Sequence, residues 1–151
     1  MPDHRGHQGQ RGQQSHGEQI LQEINNSINK IKSSDELSKL SADELVSIAE
    51  KVGKHLRDIG LKTTQIRRFL DGVRKIDNQF KADKSKFKGE LVILLKPKLA
   101  YAAGREDKVK PLMKVLDPAI DRGAKSYESF KKLLALIEGI VAYHKYYGGG
   151  D

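Results

Sequence analysis

The stretch Leu91–Arg105, LVILLKPKLAYAAGR, joins the most apolar run of the chain directly to a compact set of cations. Leu91 to Leu95 are apolar without interruption, which suits an element buried all round. A run this short, containing Val92 and Ile93, also fits a strand, and periodicity alone does not separate the two. The neighbours decide it. No other stretch clusters β-branched residues as a sheet partner would, while Leu99, Ala100, Ala102 and Ala103 continue the run with strong helix formers. The stretch therefore reads as the central helix of an all-α fold. Pro97 lacks an amide donor and crowds the carbonyl four residues back, so it is expected to kink or divide that helix. Lys96, Lys98 and Arg105 bracket the break.

Working outward, the rest of the chain supplies helices to pack against it. Ser41-Ala42-Asp43-Glu44 is a capping box that opens a helix with Leu45, Ile48, Ala49, Val52, Leu56 and Ile59 on one side, closed by Gly60. Thr63 or Thr64 is placed to cap the next helix, which runs to about Lys81 with Ile66, Phe69, Leu70, Val73, Ile76 and Phe80 facing the core. Lys81–Lys88, KADKSKFK, is a basic polar connection. Gly104 is expected to cap the central helix, and Glu106 and Asp107 to support the start of the next, which has Pro111 in its first turn and Val109, Leu112, Met113, Val115, Leu116 and Ile120 on its core face. Ser126 caps a last helix with Tyr127, Phe130, Leu133, Leu134, Ile137, Val141 and His144 at helical spacing, after which Gly148-Gly149-Gly150 is expected to release the chain. The fold class is an all-α, single-domain bundle of about five main helices spanning residues 41–149.

Upstream, residues 18–40 read as a weak helix, with Ile20, Ile24, Ile28 and Ile31 on one stripe, followed by a polar linker at Ser33-Ser34-Asp35. Residues 1–17 are rich in Gly, Gln and His and read as a disordered tail. Its histidines lack the supporting partners of a specific metal site, and no metal or cofactor is expected.

The 151-residue chain has no cysteine, which excludes disulfide scaffolds, thiolate zinc sites and cysteine nucleophiles. No stretch fits a signal peptide or a membrane span, so a cytoplasmic protein without membrane contact is expected. Phosphate-binding loops, HExxH and GxSxG are absent, and carboxylates are scattered singly, which argues against an enzyme.

Charge is more informative. Residues 62–110 carry 14 Lys+Arg against 6 Asp+Glu, so the whole formal excess of +8 lies there. A localised basic surface is the footprint of a polyanion partner. On the helix after Thr63, Arg67, Arg74 and Lys81 recur every seven positions as one ridge, and Arg68 and Lys75 form a second, with Asp71 and Asn78 between them. Acids on this face are fewer than bases, which favours nucleic-acid contact over a solvated face with internal ion pairs. Tyr143, Tyr146 and Tyr147 near the chain end suit base stacking and packing within the domain equally.

Three stretches together, LKTTQIRRFLDGVRKI (Leu61–Ile76), LLKPKLAYAAGR (Leu94–Arg105) and Phe130–Gly149 ending IEGIVAYHKYYGG, resemble the small subunit of type III-A CRISPR effector complexes, the Csm family. The resemblance covers roughly residues 41–149 and rests mostly on KPKLAYAAGR. Gly139 departs from it, standing where alanine is expected and weakening the last helix slightly. The resemblance implies a small all-helical, non-catalytic protein that stacks in several copies along a ribonucleoprotein of antiviral defence, where guide RNA pairs with target RNA. Its partners would be those RNAs, the backbone and large subunits, and other copies of itself. By position in the matching motifs it implies an RNA-facing role for Arg67, Arg68, Lys96, Lys98 and Arg105; Arg74 and Lys75 rest on the charge ridge alone. The competing readings are a helical adaptor for acidic proteins and a nonspecific DNA-binding architectural protein.

Because residues 1–17 hold almost no side chains able to join a core, their deletion is expected to leave the melting temperature nearly unchanged. A loss of several degrees by calorimetry would show that they pack.

Overall fold

The computed structural model describes the backbone of residues 2–151 and the side chains from Glu18 onward; the tail expected over residues 1–17 lies outside the fully described residues. The helices are α1 (Pro2–Ser33), α2 (Ala42–Asp58), α3 (Thr63–Phe80), α4 (Gly89–Ile93), α5 (Leu95–Arg105), α6 (Lys110–Gly123) and α7 (Tyr127–Tyr146). Short 3-10 turns at Leu37–Lys39, Lys84–Lys86 and Asp107–Val109 join them, and the described residues contain no strand. The expected all-α bundle is present, with the stretch around Pro97 divided into α4 and α5.

The hub is α7, against which α2, α3, α6 and the 3-10 turn at Leu37 all pack. Its Phe130, Leu133, Leu134, Leu136, Ile137, Ile140 and His144 are buried, so the helix is covered on several sides rather than along one stripe. This corrects the expectation that Leu91–Arg105 is central: α4 and α5 pack instead on α6 and α3. Leu91–Leu95 is not buried all round either. Val92 and Leu95 are buried, but Ile93 and Leu94 are 38% and 58% exposed, because α4 is only five residues long and α6 and α3 cover one side of it. The division falls at Leu94, immediately after the Ile93 carbonyl that the Pro97 ring would crowd, and it leaves Pro97 in the first turn of α5, where no amide donor is missed.

Close approach of α2 and α7 is set by small residues. A Cβ on Gly53 would lie 2.8 Å from the Ile140 carbonyl oxygen and 2.9 Å from the His144 amide nitrogen. One on Gly139 would lie 2.8 Å from the Cβ of Ala49. The Gly139 departure thus has a packing reason: what it loses in helix propensity it returns as contact between two backbones.

The start of α7 is tied to the turn after α1. Ser126 caps α7, its hydroxyl accepting from the Ser129 amide at 3.1 Å and donating to the Glu36 carboxylate at 2.7 Å. Ser129 donates to the same carboxylate at 2.8 Å and accepts from the Ser38 amide at 2.9 Å. These hydroxyls hold the Glu36 carboxyl below its ordinary range. Ile24, Ile28, Ile31, Leu37 and Leu40 accordingly belong to the same core as the rest of the bundle.

At the other end the glycines do not release the chain. The Thr63 amide and hydroxyl both donate to the Gly150 carbonyl, at 2.8 Å and 3.1 Å. The Thr63 hydroxyl also lies 3.0 Å from Nδ1 of the buried His144, whose Nε2 is 2.6 Å from the Leu61 carbonyl oxygen. A Cβ on Gly149 would collide with that imidazole, and Gly148 takes φ +94° to make the turn. Thr63 is therefore turned inward rather than capping α3, since buried polar atoms need partners. The cap position falls to Lys62, whose amide donates to Gln65 Oε1 at 3.3 Å. Nor does Gly104 cap α5, which continues through Arg105 to end at Glu106.

Connection KADKSKFK is anchored by Phe87, whose ring centroid lies 5.5–5.9 Å from those of Phe80, Tyr127 and Phe130. Beside it the Tyr127 hydroxyl donates to Asp77 at 2.8 Å; burial, then this carboxylate, push it up to about 12.

Gly53→Ala is expected to destabilise the protein by about 1–3 kcal/mol, because the added methyl meets backbone that cannot turn aside. Gly72→Ala in α3, where a Cβ meets nothing within 4 Å, should stabilise by about 0.5–1 kcal/mol through propensity alone. Denaturant melts of both variants check the opposite signs. Since the Tyr127 hydroxyl titrates higher folded than its ordinary 10.0, its contribution is complete below pH 10 and lost as pH rises toward 12. Stability measured over that range should fall more steeply for the wild type than for Tyr127→Phe.

Candidate nucleic-acid interface

On α3 the core residues Ile66, Leu70, Val73 and Ile76 are buried, which leaves Arg67, Arg68, Arg74 and Lys75 exposed. The two ridges lean toward different neighbours. Arg74 reaches α7, 3.9 Å from Glu138, and lies equally far from Asp71 on its own helix. Arg68 instead lines a groove between α3 and α5.

On α5, Leu95, Leu99 and Ala103 are buried against the bundle. Lys96 and Lys98 are two positions apart and so diverge by about 200° around the helix. Lys96 is half-buried, its ammonium 2.7 Å from Asp121 and 3.8 Å from Asp117 of α6. Lys98 points the other way, into the groove. Arg105, seven residues on, returns to the azimuth of Lys98, and Tyr101 lies between them.

Arg68, Lys98, Tyr101 and Arg105 line this groove of about 480 Å³, over an apolar floor that includes Phe69 and Leu95. The Arg105 guanidinium lies 5.9 Å from the Tyr101 ring centroid. Among the described residues, Arg67, Arg68, Lys75, Lys98 and Arg105 take part in no ion pair, and the groove lining holds three cations against one carboxylate, Glu106.

Of the seven cations singled out from sequence, the groove brings together Arg68, Lys98 and Arg105. Lys75 belongs to the Arg68 ridge, Arg67 and Arg74 share the other ridge of α3, whose Arg74 reaches α7, and Lys96 is turned away to α6. Sequence reasoning missed Tyr101, which is 68% exposed; its spacing of i, i+3, i+7 with Lys98 and Arg105 carried the signal. The terminal tyrosines form a separate group, Tyr143 and Tyr147 with centroids 6.4 Å apart, Tyr146 set edge-on to Tyr147 at 5.0 Å, and Lys54 over the Tyr147 ring at 5.4 Å. Among the described residues no three of His, Cys, Asp or Glu converge to hold a metal ion, and no helix is long and apolar enough to cross a membrane.

Bundle and groove define a small all-helical protein with a basic face built on two adjacent helices. Residues 39–150 match the family Csm2 Type III-A. A similar protein, described as "CRISPR system Cms protein Csm2" from Streptococcus thermophilus, is 31% identical over 113 residues, covering 73% of this chain and 90% of that one. The chain belongs to the Csm2 family, the small subunits of the multi-subunit type III-A Csm complex.

Proposed function

We propose that this subunit is non-catalytic and binds RNA, stacking in several copies along the guide RNA–target RNA duplex of the cytoplasmic type III-A ribonucleoprotein and so serving antiviral defence. Its partners in this reading are the two RNAs, the backbone and large subunits, and further copies of the chain. The observation that carries it is the set of five exposed cations, Arg67, Arg68, Lys75, Lys98 and Arg105, without acidic partners among the described residues and held on two rigid helices. Cations in this arrangement follow a phosphate backbone and fix its position without reading sequence. Arg74 and Lys96 belong to the same RNA-facing set but are engaged with carboxylates, so each exchanges a protein partner for a phosphate and adds less. Affinity per copy is weak, and stacking multiplies it by avidity.

Binding of several unrelated RNAs across a salt series tests this reading. Affinity is expected to fall steeply with salt, with a slope of roughly −0.7 per phosphate contact on single strands. Reversing charge at Arg67 and Arg68 should weaken all sequences by similar factors with helicity unchanged by circular dichroism, and Lys98→Glu should cost more affinity than Lys96→Glu. Salt-independent binding, or reversals that lose nothing, would leave the ridges as a solvated face. Equal or tighter binding to duplex DNA would favour an architectural role, capture of acidic proteins alone an adaptor, and metal-dependent RNA cleavage by homogeneous protein would overturn the non-catalytic assignment.

A further inference from the structure

We propose that the groove between α3 and α5 seats a single unpaired nucleobase stacked on Tyr101, with the neighbouring phosphates on Arg68, Lys98 and Arg105; this rests on the RNA-binding reading above and adds a ligand to it. A cationic ridge is sufficient for a phosphate backbone. This groove has more than that. Its floor, formed by Phe69, Leu95 and Val109, is apolar, and a phosphate gains nothing from an apolar floor, whereas the flat face of a base does. Its volume of about 480 Å³ falls within the range of roughly 300–1,000 Å³ usual for small-molecule sites.

Tyr101 is 68% exposed, which leaves its ring accessible from solvent. The Arg105 guanidinium lies over that ring, so a planar group already reaches its face from within the groove. Gln65, also in the lining, uses its carbonyl oxygen on the Lys62 amide and leaves its amide hydrogens for a base edge.

An independent observation comes from Gly72. It stands in the interior of α3, where glycine is unfavourable, yet a Cβ there would meet nothing within 4 Å, so packing does not require it. What its missing side chain does is lower the α3 wall of the groove beside Phe69. The glycine keeps open a space that the protein itself does not fill.

A base paired within a duplex hides its faces between its neighbours and cannot enter; a single-stranded or bulged nucleotide can. The full chain is therefore expected to bind an RNA duplex carrying one bulged 2-aminopurine about tenfold more tightly than the fully paired duplex, and to quench the probe on binding. Tyr101→Phe should keep both effects, since stacking needs the ring and not the hydroxyl. Tyr101→Leu and Gly72→Leu should abolish the preference and the quenching while still binding the paired duplex, Gly72→Leu without loss of stability. Charge reversal at Arg67 and Lys75, which lie outside the groove lining, should weaken both duplexes alike. If Tyr101→Leu and Gly72→Leu behave as wild type while the charge reversals still weaken binding, the nucleobase site is wrong and the backbone reading stands. No RNA binding by the wild type would overturn both.

Discussion

Everything in this bundle depends on how closely α2 and α7 approach. Gly53 and Gly139 remove the side chains that would hold the two backbones apart, and Ala49 fits opposite the second. Side chains pack at crystal-like density only when such spacing is right, and α7 is the surface on which α3, α6 and the turn at Leu37 also rest. The ends of α7 are then secured by polar groups of opposite kinds. At its start a carboxylate, Glu36, collects the hydroxyls of Ser126 and Ser129. At its finish the His144 imidazole joins Leu61 and Thr63 to the helix, and the Thr63 hydroxyl in turn joins Gly150. With its position fixed along its length, α7 holds the α3 that packs against it, and with α3 one wall of the basic groove.

The groove itself follows from the interruption at Leu94. Had the helix run unbroken from Leu91, the residues after Pro97 would extend the line of α4. Instead α5 starts afresh, with Leu95 and Leu99 buried and Lys98, Tyr101 and Arg105 lining the groove beside α3. The same geometry divides labour between two neighbouring lysines. Lys96 ties α5 to Asp117 and Asp121 of α6, and Lys98, about 200° away, lines the groove without an ion-pair partner among the described residues. Placement on the helix, not residue type, separates an internal ion pair from an exposed charge.

Membership of the Csm2 family and the groove address different levels of the same molecule. The family places the chain in a type III-A complex. The groove shows which part of the chain concentrates unpaired positive charge beside an accessible aromatic ring, and it lies within the central segment where the formal charge excess is found.

Local features were legible in the sequence because their causes are local. The Ser41–Glu44 capping box, the Ser126 cap, the turn at Gly60 and the break imposed by Pro97 each depend on residues within a few positions of one another, and each is present. The charge excess of residues 62–110 and the two ridges of α3 were equally a matter of spacing. Features that depend on a distant partner were not legible. The apolar run at Leu91–Leu95 suggested the centre of the fold, yet Leu94 is exposed, because burial is set by what packs on a residue and not by its own hydropathy. Gly139 and the terminal glycines read as weak points until Ala49 and His144 stood opposite them. Thr63 read as a cap until Gly150 returned to meet it. Sequence by itself determined the helices, those of their ends that local caps mark, and the sign of the surface; only the tertiary structure decided which helix is the hub, which lysine is neutralised and which cations share a groove, because those outcomes depend on residues far apart in the chain being brought within a few ångströms.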